Sequence, residues 1–107
     1  MSGDVVPRTR GWRAVSGTAD SARILTVTGE VALGNADEWP GLGPSEPPGP
    51  DPAILNLDLE VATDGPGALA PHWAAIRFAW PLPAAGPSSV RVMWMGVEVA
   101  FLPVAED

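Results

Sequence analysis

Very few side chains in this sequence are equipped for chemistry. His72 is the only histidine, eight residues after Asp64 and next to Trp73. A general base working near neutral pH is most often a histidine, and a hydrolytic triad needs one within reach of a nucleophile and an acid. Ser88, Ser89 and Asp64 supply those residue types, but no Gly-x-Ser-x-Gly elbow frames a serine. The plainer reading is a loop histidine, solvated or hydrogen-bonded.

Asp58 and Glu60 form the one pair of carboxylates at regular spacing, with Asn56 two residues before them. On a strand they share a face roughly 6–7 Å apart. That distance suits a glycosidase pair or a divalent-ion site. Alternating acids on a half-exposed strand are also ordinary solubility residues, satisfied by cross-strand arginines such as Arg23, Arg77 and Arg91. The sequence contains no cysteine, which excludes disulfides, thiolate metal sites and thiol catalysis. Zinc needs histidines or cysteines in numbers absent here. No calcium loop of the Asp-x-Asp-x-Asp-Gly type occurs, and Gly41, Gly43 and Gly49 lie among prolines ahead of a strand rather than a helix, unlike a phosphate loop. No catalytic residue, metal site or cofactor is expected.

Binding is the remaining chemistry. Tryptophan carries the aromatic load: Trp12, Trp39, Trp73, Trp80 and Trp94, with two phenylalanines and no tyrosine. Trp80 and Trp94 fall where inward strand residues belong, whereas Trp39 and Trp73 flank loops and are the better candidates for an exposed patch. Trp39, His72, Trp73, Arg77 and Arg91 are the candidate binding residues. The prolines at 44, 47 and 50 have the spacing of a Pro-rich ligand, but no arginine flanks them, and a plain connector accounts for them.

These residues must be held by strands. In 23–33 (RILTVTGEVAL), Leu25, Val27, Val31 and Leu33 share one face, and Thr26, Thr28 and Glu30 the other. In 54–61 (ILNLDLEV), Leu55, Leu57, Leu59 and Val61 alternate with Asn56, Asp58 and Glu60. A period of two over such lengths is a half-buried strand. The segment 73–80 (WAAIRFAW) alternates Ile76, Phe78 and Trp80 against Arg77, and Pro81 ends it. The β-branched and aromatic segment 88–102 is divided by Gly96, either as a hairpin turning at Met95-Gly96 or as one long bulged strand. A shorter strand is expected at 11–15. No apolar period of 3.6 is sustained, and at most one helical turn fits, at 36–39.

The connections follow from turn chemistry. Six prolines in 40–52 predict an extended, polyproline-like surface loop. Segments 63–72 and 82–87 also read as loops, and 1–10 and 103–107 as loose tails. The expected fold is all-β: one domain over 1–107, with four to six strands forming a small antiparallel sheet that closes as a sandwich or a partly open barrel. Such a sheet must hide its apolar face on itself or on a second copy.

Composition narrows the partners. The net charge is −7, with six arginines spread singly and no lysine. Phosphate-backbone binding requires clustered basic residues, so no nucleic-acid or anionic-membrane partner is expected. No segment approaches the ~20 apolar residues of a helical membrane span, and no signal-peptide pattern opens the sequence. The absence of cysteine fits a reducing compartment, and a cytoplasmic location is expected. The expected function is a non-enzymatic module that binds a protein partner or itself. The alternative is a small-molecule-binding barrel or cavity-based isomerase or cyclase, which requires a pocket of ~300 Å³ or more.

Overall fold

The computed structural model describes residues 7–45, 49–63, 65, 68–82 and 86–106. They form eight strands: β1 (Thr9–Ala19), β2 (Ala22–Asn35), β3 (Glu38–Pro44), β4 (Ile54–Thr63), β5 (Leu69–Pro81), β6 (Ser89–Trp94), β7 (Val97–Pro103) and β8 (Ala105–Glu106). Two sheets of four strands pack as a sandwich, ordered β5-β2-β1-β8 and β3-β4-β6-β7. All pairings are antiparallel except β1–β8 and β4–β6.

The alternation read in the sequence sets the layers. Leu25, Val27, Val31 and Leu33 of β2 point inward from the first sheet. Leu57 and Leu59 of β4 and Val90 and Val92 of β6 meet them from the second. Each sheet therefore hides its apolar face on the other. Trp12, Phe78, Trp80 and Trp94 pack partly buried around that core.

Two hairpin turns use the same geometry. Asp20 and Ser21 have φ of 52° and 67° between paired Ala19 and Ala22. Met95 and Gly96 have φ of 48° and 86° between paired Trp94 and Val97. Positive φ at both central residues is the type I′ pattern, whose twist matches antiparallel strands. Segment 88–102 is thus a hairpin, not one bulged strand. A bulge does occur in β1, where Gly11 (φ 67°) and Trp12 together oppose Gly29. It turns the Trp12 ring onto the bare backbone of Gly29, where a Cβ would stand 2.5 Å from the ring.

Several expectations change. The described residues hold eight strands rather than four to six, because the 88–102 segment splits and β3 and β8 join the count. β3 takes in residues 40–44, which the prolines assigned to a surface loop. As the outermost strand of its sheet it tolerates Pro40 and Pro44, since an N–H facing away from the neighbour is not needed in the ladder. Residues 46–48 of that expected loop lie outside the described residues. The helical turn at 36–39 is instead a two-residue turn at Ala36 and Asp37, followed by strand. Glu38 Oε1 accepts the N–H groups of Gly34 and Asn35 at 3.0 and 2.9 Å, closing this corner between the sheets. Leu69 to His72 belong to β5 rather than to a loop, while residues 64, 66 and 67 lie outside the description. The expected tails are partly strand: β1 begins at Thr9, and Ala105 and Glu106 pair with Val15 and Ser16. Residues 1–6 and 107 are outside the description.

Candidate functional site

The five residues singled out from the sequence fall on different surfaces. Trp73 and Arg77 share the outer face of the first sheet, on β5. Trp39, half exposed, and Arg91 lie on the outer face of the second sheet, on β3 and β6. His72 is exposed at the start of β5, its Nδ1 2.7 Å from the Ala70 carbonyl oxygen. Ser88 lines a depression with Leu82 and Arg23 beyond the far end of β5. About 30 Å of strand, at ~3.3 Å per residue, separates it from His72. No hydrolytic geometry joins these two.

The second sheet's outer face carries the paired acids. Gly41 and Gly43 of β3 sit opposite Glu60 and Asp58 of β4. Their missing side chains leave a shallow depression of ≈190 Å³ lined also by Leu42 and Pro44. Ser45 Oγ donates to Asp58 Oδ1 at 2.7 Å. Arg91 pairs with Glu98 at 2.9 Å and lies 5.3 Å from the Phe101 ring, so it does not serve Asp58 or Glu60. Among the described residues, no three His, Asp or Glu side chains gather as a metal site would require. The depression beside Ser88 also measures ≈190 Å³, and in it Arg23 Nη2 donates to the buried Ser16 Oγ at 3.2 Å.

The first sheet's outer face is differently charged. Arg13, Thr28 and Arg77 form one row across β1, β2 and β5, and Arg10, Glu30 and Ala75 form the next. Arg10 Nε donates to Glu30 Oε1 at 2.8 Å, and its guanidinium stacks 3.9 Å over the Trp73 ring. That cation–π contact leaves Trp73 half-buried against its own chain.

The most exceptional element is β5 itself. It ends the first sheet, hydrogen-bonded to β2 on one side and to no second strand on the other among the described residues, with β3 of the second sheet packed close to it without pairing. From His72 to Pro81 its register against β2 is unbroken. An edge strand presents unpaired N–H and C=O groups, and proteins blunt such edges with prolines, bulges, charges or shortness. The other three edges show these devices. β3 carries Pro40 and Pro44, β7 is irregular where its register shifts opposite Val92 and Met93, and β8 has two residues. Between Pro71 and Pro81, β5 has one formal charge, Arg77. Its inward residues Ala74, Phe78 and Trp80 are only half-buried, with the Phe78 and Trp80 rings stacked at 5.8 Å.

Sequence reasoning named Trp73 and Arg77 but not the edge that carries them. Strand order depends on contacts distant in sequence, and no local signal marks a strand as last in its sheet. The acid-free run from 65 to 97, in a chain with 13 acids, covers β5 and β6 alike and does not mark the edge. No protein-family model, curated protein or solved structure matches the chain.

Proposed function

We propose that this chain is a non-enzymatic interaction module whose docking element is the free edge of β5. The observation that carries this reading is the regular, nearly uncharged edge between Pro71 and Pro81. An added strand would satisfy the outward-facing backbone groups of β5 and cover the exposed rims of Phe78 and Trp80. Main-chain hydrogen bonds supply affinity in this mode of recognition, and alternate side chains supply specificity. The small-molecule alternative gains no support from the two depressions, each ≈190 Å³ against the ~300 Å³ such a site needs.

Native mass spectrometry of the chain isolated gently from its own cells tests the reading. The expected result is a mass above that of one 11.1 kDa chain, made up of polypeptide. Amide exchange on the same sample should show protection at Trp73, Ala75, Arg77 and Ala79, whose N–H groups point away from β2. A single chain carrying a small organic adduct, with those amides exchanging freely, would overturn it.

A further inference from the structure

The pattern of β5 identifies its partner. We infer that the strand added to β5 is β5 of a second copy, antiparallel and centred on Ile76. This rests on the docking-edge reading above and goes further by fixing the occupant and the register.

The register follows from three constraints. Directly opposed residues of an antiparallel pair share a face, so a two-fold pairing must centre on a residue rather than between two. Pro71 and Pro81 bound the usable edge and lie five residues either side of Ile76. Centring on Ile76 uses all nine residues between them. Centring on Arg77 sets arginine against arginine and Trp73 against Pro81, and centring on Ala75 draws Pro71 into the ladder.

Around Ile76 the sizes complement one another. Trp73 faces Ala79, Ala74 faces Phe78 and Ala75 faces Arg77. Large side chains meet small ones on both faces of the extended sheet. His72 faces Trp80 where the ladder ends.

The charges complement as well. In its own chain Arg77 shares a row with Thr28 and Arg13, and no acid stands there. In the second copy the same row continues into Ala75 and then Glu30. Only the alanine methyl separates the two ionic side chains, whose backbones lie two strand spacings, ~10 Å, apart. Glu30 uses Oε1 for Arg10, leaving Oε2 for the incoming arginine. Symmetry repeats this bridge on the other side of the two-fold. The absence of acids over 65–97 lets two chains of net charge −7 approach along this strand.

Sedimentation velocity of the full chain across micromolar to millimolar concentrations, with charge-swap variants, tests the pairing. Glu30→Arg places arginine beside the second copy's Arg77, and Arg77→Glu places glutamate beside Glu30. Each single substitution should weaken dimerisation about tenfold, because each row occurs twice. The Glu30→Arg/Arg77→Glu double variant should recover most of that loss, a coupling that only the proposed register creates. Neither position lies in the core, and circular dichroism with urea titration will establish that each variant folds. A dimer indifferent to both single substitutions, or one that the double variant fails to restore, overturns the register. A chain that stays monomeric overturns the second-copy proposal. The docking-edge reading then stands if the outward amides of Trp73, Ala75, Arg77 and Ala79 become protected on adding extract of the source cells, and falls with it if they do not.

Discussion

Gly29 shows how one absent side chain organises the first sheet. The Gly11 bulge swings the Trp12 indole inward, and the ring settles on Gly29, its nearest atoms 2.5–2.8 Å from where a Cβ would stand. Those atoms, Cε3, Cδ2 and Cζ3, run along the six-membered half of the rigid indole, so the Cβ meets the body of the ring rather than a flexible tip. Gly29→Ala should therefore destabilise the fold by about 1–3 kcal/mol, the range for an overpacked site. Urea denaturation would show a lower midpoint at unchanged slope. The same substitution in a Trp12→Leu background should cost much less, and an equal cost in both backgrounds would show that the ring is not the cause. The sequence does not announce this contact. Gly29 reads there as a gap in an otherwise alternating strand, and nothing in the spacing of residues 12 and 29 links it to a tryptophan.

Turn chemistry and edge position govern the elements. Asp20, Ser21 and Met95 all sit at positive φ, where a Cβ crowds the backbone at a cost of about 1–2 kcal/mol. Glycine's greater loss of chain entropy offsets ~0.5–1 kcal/mol of what it would save there. Ser21→Gly should thus stabilise the β1–β2 hairpin by about 0.5–1 kcal/mol, read as a rise in the thermal midpoint, whereas Gly96→Ala should lower it by a similar amount. If Ser21→Gly leaves the midpoint unchanged or lowers it, φ strain is not what limits that turn. The long strands were legible because their alternation repeats over eight or more residues and the apolar positions then prove buried, as with Leu25, Val27, Val31 and Leu33 and with Leu57 and Leu59. The β6–β7 hairpin was legible only as one of two choices, since Met95-Gly96 lacks the asparagine or aspartate that marks such turns. β3 was hidden by Pro40 and Pro44, whose exclusion from strands weakens at an edge, and edge position is a property of the assembled sheet. For the same reason Trp73 and Arg77 could be named from the sequence while the free edge they occupy could not.

At the scale of the whole molecule, net charge acts against the proposed meeting of two copies. The chain measures 44 × 30 × 21 Å, so two copies joined side by side along β5 have centres about 30 Å apart. Two bodies of net charge −7 at about 30 Å repel by about 7 kcal/mol in water before screening. A Debye length of ~30 Å at 0.01 M salt leaves roughly a third of that, and ~10 Å at 0.1 M leaves roughly a twentieth. The proposed dimer should accordingly tighten by about 2 kcal/mol, roughly thirtyfold in Kd, as salt rises through that range. The two Arg77–Glu30 bridges act in the opposite sense, but exposed pairs contribute only ~0.2–1 kcal/mol each and lose only part of that to screening. Sedimentation at the two salt concentrations separates these contributions. Tightening with salt means that backbone pairing and apolar cover hold the dimer against a long-range repulsion. Weakening would mean that ion pairs dominate, and would place the contact on the arginine rows of the first sheet's outer face rather than along the edge of β5.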